Sequence, residues 1–184
     1  MISVPGPGFG IPVTDKRHAI TSEIPQLRRF ARALTGNAVA ADDLVQDCLE
    51  RALGRLHLWR EESNMRAWLF TILRNLHVNN IRNSSRRPIE TSLEDHDQPL
   101  GDAATQGQRL MIRDLDQALE KLTDQQREVI LLVGLEGMSY QETAEILDVP
   151  VGTVMSRLSR GRENLRILMD HGNHHDKPPL RSIK

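Results

Sequence analysis

The chain has 184 residues, of which 39% are apolar and 27% charged, and its formal net charge is −1. This composition supports a packed core, and an aromatic content of 3% disfavours a β-sandwich or barrel. The single cysteine, Cys48, excludes an intrachain disulfide, and no apolar run approaches the ~20 residues of a membrane span, so we expect a cytoplasmic protein.

Residues 1–20 are rich in Gly and Pro at their start, and we expect them to form a disordered arm. Residues 21–88 predict a first helical domain. Apolar residues recur at helical spacing from Leu27 to Leu34, where Gly36 ends the segment, and Asn37 and Asn64 are candidate N-caps of two further helices. The second of these helices is predicted to run to Arg87.

Residues 89–107 change in character, because helix breakers are frequent and the acids between Glu90 and Asp102 sum to −5. We interpret them as a flexible acidic linker. Residues 108–170 predict a second helical domain, in which Thr123 and Ser139 open two helices and Gly134 and Gly137 end the first of them. Residues 171–184 are expected to be disordered. The fold class is therefore all-α, with two small domains.

The strongest motif is a helix-turn-helix pattern in the second domain. Ala144 is the small residue that close packing at the corner requires, and Val149-Pro150 makes the turn. The last helix, from Val151 to about Met169, has an apolar stripe and an opposite stripe of polar and cationic residues, which comprises Thr153, Ser156, Arg157, Arg160 and Asn164. Such a helix is suited to the DNA major groove, although periodicity alone also fits an ordinary amphipathic helix.

Two helices of the first domain have opposite charge. The segment from Arg66 to Arg87 contains five arginines and no acid, and Asn75 and Asn79 lie one turn apart near Trp68. Arginines, amides and a nearby aromatic ring are typical of single-stranded DNA binding. The segment from Ala40 to Glu50 contains four acids and no base, which suits a basic protein partner. The near-zero net charge thus conceals separate basic and acidic segments.

Three segments together resemble a known family. They are AADDLVQDCLERAL, NMRAWLFTILRNLHVNNIRNSSRR and LTDQQREVILLVGLEGMSYQETAEILDVPVGTVMSRLSRGRENL, in that order. The chain resembles bacterial sigma-70-type factors of the extracytoplasmic-function (ECF) group, which consist of sigma domains 2 and 4 and a linker. The resemblance covers about residues 24–169, and NMRAWLFTILRN is also similar to the alphaproteobacterial general-stress subgroup.

The resemblance implies a sigma factor without catalytic residues, cofactor or metal. It would bind core RNA polymerase, at the clamp helices of the β′ subunit, through Asp43, Leu44, Gln46 and Asp47. It would hold the single-stranded −10 element through Asn75, Asn79, Arg82, Arg86 and Arg87. It would read the duplex −35 element through Thr153, Ser156, Arg157 and Arg160. An anti-sigma factor and a stress response are further expectations, and the acidic linker either follows the RNA path or is a solvated tether.

Two other functions are weighed beside this one. A conventional helix-turn-helix regulator would bind duplex DNA without polymerase, but it does not explain the charged helices of the first domain. A sigma-like decoy would occupy an anti-sigma factor without supporting transcription, and it would not need the DNA-facing Asn75, Asn79 and Arg160. An enzyme is disfavoured, since Cys48 has core-like neighbours and no evident His partner.

Overall fold

The computed structural model describes residues 13–60, 63–84 and 106–172, and every regular element among them is helical. In chain order the helices are α1 (Val13–Ser22), α2 (Ile24–Thr35), α3 (Ala38–Gly54), α4 (Met65–Ser84), α5 (Gln106–Glu120), α6 (Asp124–Ile130), α7 (Tyr140–Leu147) and α8 (Val151–Gly172). A short 3-10 turn, Leu56–Leu58, follows α3, and a π-helical turn, Leu131–Leu135, continues α6. The predicted all-α class with two helical domains is confirmed.

The first domain is built from α1 to α4. Gly36 ends α2 with φ +66°, and its N–H donates to the carbonyl of Arg32 at 2.9 Å. Asn37 then caps α3, since its side-chain oxygen accepts from the N–H of Ala40 at 2.9 Å. Both boundaries agree with the sequence prediction. Phe30 and Phe70 meet in the core with their ring centroids 5.1 Å apart.

The predicted disordered arm is wrong for its last eight residues, because α1 begins at Val13. A helix of ten residues is marginal in isolation, so packing must stabilise it. Ile20 is only 3% exposed in the core, and the Lys16 ammonium lies 5.5 Å from the centre of the Trp59 ring. The apolar contact of Ile20 therefore orders a segment whose sequence has little helical periodicity.

The second domain is built from α5 to α8. Ser139 and Glu142 form a complete capping box at α7, and the Thr123 hydroxyl caps α6. Two predicted boundaries are wrong by a few residues, because α5 includes Gly107 and α8 extends to Gly172. Of the two glycines predicted to end the helix that begins at Asp124, Gly134 lies within the π turn, whereas Gly137 follows its end and has φ +67°. Gly107 and Gly172 lie at the ends of their helices, where the ~1 kcal/mol propensity cost of an interior glycine does not apply in full.

The two domains pack directly against each other. Helix α4 lies against α7, and α2 lies against the π turn, so that buried apolar side chains of both domains form one continuous cluster. The predicted linker up to residue 105 and the predicted tail from residue 173 lie outside the described residues. In the described ranges, none of the helices combines the length and apolar character that crossing a lipid bilayer requires.

Candidate nucleic-acid and polymerase interface

The angle between α7 and α8 in the helix-turn-helix is stabilised by the backbone of the turn and by small, buried side chains at the corner. Asp148 adopts a left-handed conformation with φ 53°, and the N–H of Val149 donates to the carbonyl of Ala144 at 3.0 Å. Ala144 is 5% exposed, as the predicted small residue at the corner should be, and Val154 and Leu158 of α8 are buried behind it. Helix α8 is thus fixed in place by its apolar stripe.

The opposite face of α8 is open to solvent only in part. Ser156 and Arg160 are exposed, whereas Thr153 and Arg157 are half-buried. The Ser156 hydroxyl donates to the carbonyl of Thr153 at 3.0 Å, and Asn164 donates to Gln126 of α6 at 3.2 Å. Of the four residues predicted to read the −35 element, only Ser156 and Arg160 therefore have side chains that are exposed to solvent.

Gly161 allows α8 to approach α6 closely. A Cβ atom at this position would lie 2.9 Å from Cδ1 of Ile130 and 3.3 Å from Cβ of Gln126. Carbon atoms pack best at about 3.5–4.0 Å, so no side chain fits without movement. The crossing of α6 and α8, and with it the orientation of the predicted DNA-reading face, depends on this glycine.

Helix α4 presents the amides that were predicted to hold the −10 strand. Asn75, Asn79 and Arg82 are all exposed along α4. Trp68 is half-buried and packs against the core, so most of its ring is structural. Arg86 and Arg87, predicted for the same role, lie outside the described residues.

Helix α3 presents most of the acidic surface that was predicted to bind polymerase. Asp43, Gln46 and Asp47 are exposed, and Gln46 donates to Glu50 at 3.1 Å. The prediction that Leu44 contacts polymerase is wrong, because this side chain is 2% exposed and belongs to the core of the first domain. Its apolar side chain faces away from any partner and instead holds α3 in place.

A buried carboxylate joins the two domains. The Glu136 side chain, directly after the π turn, has no exposed surface and is held by two arginines of the first domain. Arg29 donates to both of its carboxylate oxygens at 2.9 Å, and Arg66 donates to one of them at 2.9 Å and to the Glu136 carbonyl at 2.8 Å. The hydrogen bonds with Glu136 raise the pKa of Arg29. Two cations thus compensate one buried anion.

Further polar contacts cross the same interface. Glu128 of α6 is 4% exposed and lies 3.3 Å from Nε of Arg74, and the amide of Asn64 donates to Glu142 at 2.6 Å. Burial raises the pKa of Glu128, and Arg74 offsets part of that rise. Arg74 of α4 and Asn64, the residue before α4, therefore belong to the domain interface, while Asn75 and Asn79 of the same helix face the solvent.

Sequence reasoning missed this interface, although one indication was present. Glu128 and Glu136 stand within the otherwise apolar segment EVILLVGLEGM, where a buried helix face is expected to be apolar. A charged residue on such a face needs a partner of opposite sign from elsewhere in the chain. In the described part of the chain no group of three or more His, Cys, Asp or Glu side chains is placed to hold a metal ion.

Comparison with known proteins agrees with this two-domain architecture. A family model that describes the Sigma2 domain of PhyR matches residues 20–74, and one that describes region 4 of sigma-70 matches residues 112–165. The ECF RNA polymerase sigma factor EcfG of Rhodopseudomonas palustris (strain TIE-1) is 42% identical over 160 residues, which cover 86% of this chain and 88% of the relative.

Solved structures show the same arrangement of domains. The sigma factor RpoE of Bartonella quintana, in complex with the anti-sigma factor NepR, has a TM-score of 0.74 at 34% identity and covers 85% of this chain and 98% of its own. CnrH, in complex with the cytosolic domain of CnrY, has a TM-score of 0.65 at 27% identity over 88% of this chain and 91% of its own. The chain belongs to the ECF family of RNA polymerase sigma factors, which are non-catalytic subunits of transcription initiation.

Proposed function

We propose that this chain is an alternative sigma factor of the cytoplasm, whose α3 binds core polymerase, whose α4 holds the −10 strand and whose α8 reads the −35 element. The observation that carries this proposal is that polar side chains are exposed on one face of α4 and of α8, while the opposite face of each helix packs in the core. Asn75 and Asn79 are exposed on α4 and Ser156 and Arg160 on α8, while the opposite stripe of each helix lies in the core.

The proposed DNA surfaces on α4 and α8 differ in chemistry, as expected if α4 binds the single-stranded −10 element and α8 binds the duplex −35 element. Amides on α4 can bond the edges of unstacked bases, whose extrusion costs a few kcal/mol. Arg160 and Ser156 on α8 can reach base edges and phosphates in a major groove. Neither surface performs bond chemistry, so polymerisation stays with the core enzyme.

The test is transcription in vitro with core polymerase on fragmented genomic DNA, because it measures the function and identifies the promoter together. We expect transcripts that start at a common −35 and −10 sequence. Stable core binding without any specific transcript would contradict the proposal. It would favour the sigma-like decoy, the second candidate. The supporting observation is that residues 20–74 match the Sigma2 domain of PhyR, a protein whose Bartonella quintana form is described as an anti-anti-sigma factor.

The polymerase surface is tested by charge reversal. Asp43→Arg with Asp47→Arg should weaken core association and leave the helix content unchanged, since both side chains are exposed. Glu145→Arg, which reverses an exposed charge on α7, is the control and should bind core normally. Unchanged core affinity of the double variant would refute the assignment of α3.

The −10 surface offers a matched control on the same helix. Asn75→Ala with Asn79→Ala should weaken binding of the holoenzyme to a single-stranded −10 oligonucleotide. Asn80→Ala removes the same exposed amide one residue further on, about 100° around the helix, and should have little effect. Equal losses for the two variants would refute base contact by this face.

The −35 surface is tested on cognate and unrelated duplexes. Arg157→Ala should weaken promoter binding by ~1–3 kcal/mol if the guanidinium reads a base. An equal loss on every sequence would assign Arg157 to a phosphate instead. A helix-turn-helix regulator acting without polymerase would show specific duplex binding by the purified chain alone.

We also propose control by an anti-sigma factor in a stress response. The support is that the RpoE structure contains the anti-sigma factor NepR, and that RpoE matches both domains of this chain. A pull-down with the tagged chain from stressed and unstressed cells tests this. We expect to recover a protein that is released on stress and that inhibits transcription when it is added back.

A further inference from the structure

The exposed face of α8 is displaced from the polar stripe that the sequence predicts. Thr153 and Arg157, on one side of Ser156, are half-buried, whereas Met155 and Ser159, on its other side, are exposed. The Met155 side chain is 53% exposed, although it is apolar and large. The surface that α8 offers to a partner is therefore centred near Ser156 and extends toward Met155.

A shallow groove with apolar walls runs beside Met155. It is lined by Tyr140 at the start of α7 and by Met155, Leu158 and Ser159 of α8. Leu158 is 3% exposed, whereas Tyr140 is 39% exposed, so the groove joins a buried apolar residue to two exposed ones. Apolar surface of this kind, surrounded by polar residues, is typical of an interaction site.

The charges around the groove favour duplex DNA as the occupant. Arg162, Arg166 and Glu163 complete its lining, so two cations stand against one anion there. The groove is also continuous with Ser156 and Arg160, the exposed residues proposed to read the −35 element, because both lie next to it along α8. A cationic surface that continues a base-reading face suits the phosphates and base edges of the same duplex.

The chemistry of Met155 restricts the base that it can recognise. In the major groove only thymine presents a methyl group, at C5. Methionine is apolar and flexible and has no hydrogen-bond donor, so it can cover this methyl group closely. Guanine presents two acceptors at the same edge, and Met155 would exclude water from them without supplying a donor.

We propose that Met155 is a specificity-determining residue of α8, which selects a thymine of the −35 element by contact with its C5 methyl group. This inference rests on the proposed function, because it names the base chemistry that the α8 surface recognises. The selected thymine lies within about two base pairs of the base that Ser156 contacts, since neighbouring Cα atoms are about 3.8 Å apart. Tyr140 extends the apolar surface around the methyl group.

The experiment removes one methyl group at a time from the DNA. Holoenzyme assembled from core polymerase and the full-length chain binds the promoter that transcription in vitro identifies, with each −35 thymine on either strand replaced in turn by deoxyuridine. Deoxyuridine lacks only the C5 methyl group. At one position we expect the affinity to fall about threefold to fivefold, which corresponds to one buried methyl group. With Met155→Ala, the thymine and deoxyuridine promoters should bind equally.

Two control variants make the outcome decisive. Met155→Leu retains an apolar side chain and should retain the preference for thymine. Met111→Ala removes an exposed methionine of α5, outside the groove, and should retain it as well. An undiminished loss on deoxyuridine with Met155→Ala, or a −35 element in which no thymine methyl group affects binding, overturns the assignment of Met155 while the proposed function stands. Absence of promoter-specific transcription by the wild-type holoenzyme would overturn the proposed function, and this inference with it.

Discussion

Replacement of Gly161 by alanine tests the close packing of α8 against α6. The added Cβ would meet Cδ1 of Ile130 at 2.9 Å and Cβ of Gln126 at 3.3 Å. The Ile130 methyl group can rotate away, but the Cβ atom of Gln126 moves only with the backbone of α6. Overpacking of this kind costs about 1–3 kcal/mol.

The same substitution also has a favourable effect that must be subtracted. Alanine exceeds glycine in helix propensity by about 0.8–1 kcal/mol. The clash is larger than this gain, so we expect Gly161→Ala to lower the free energy of unfolding by about 1 kcal/mol net. For a chain of this size, that is a fall in Tm of about 2–4 °C.

Gly152 is the matched control in the same helix. A Cβ at Gly152 would meet nothing within 4 Å, so Gly152→Ala should raise the free energy of unfolding by about 0.4–1 kcal/mol. Urea denaturation followed by circular dichroism, with unchanged m values, measures both variants. If Gly161→Ala were as stable as Gly152→Ala, close approach of α8 to α6 would not be the reason for glycine at position 161.

Three further predictions follow from single contacts. Asn37→Ala should cost about 1 kcal/mol of stability through loss of the α3 cap, whereas Asn37→Ser should retain most of it; urea denaturation that does not distinguish the two would contradict the capping role. Burial raises the pKa of Glu128 in the folded chain, so folding favours the protonated carboxyl. Protonation of Glu128 therefore contributes its full stability below about pH 4.5, the ordinary pKa of the group, and this contribution is lost as the pH rises through the pKa of the folded state. Glu128→Gln should therefore gain stability relative to the wild type from pH 4.5 to 7 in thermal unfolding, and a constant difference across this range would argue against it. Burial raises the pKa of the Cys48 thiol to about 12, so a disulfide reagent at neutral pH should react only as fast as the protein opens, and immediate reaction of the native chain would show that the thiol is accessible.

Local structure was largely predictable from sequence because its determinants are local. Gly36, Asn37 and the Ser139–Glu142 pair act over one turn of helix, and each marks the boundary at which it was predicted. The helix-turn-helix corner at Ala144 was predictable for the same reason. Where the prediction was wrong, as for α1 from Val13, a tertiary contact supplied stability that the segment lacks.

The roles of individual charged and apolar residues were less predictable. Leu44 lies in a segment expected to bind polymerase, but its position around α3 places its side chain on the buried face of that helix. Arg66 and Arg74 were counted with the DNA-binding charge of α4, and the fold pairs them with Glu136 and Glu128 instead. A sequence shows the charge of a helix but not the neighbour that approaches it.

The amino-acid sequence by itself therefore determined the helices other than α1, the caps at Asn37, Thr123 and Ser139, the order of the two domains and the opposite charges of α3 and α4. Those properties depend on residues within a few positions of one another. Only the tertiary structure decided which cations remain open to DNA and which are covered. That outcome depends on the contact between Glu136 and Arg29, which are 107 residues apart in the sequence. The periodicity of a sequence gives no information about contacts between residues so far apart.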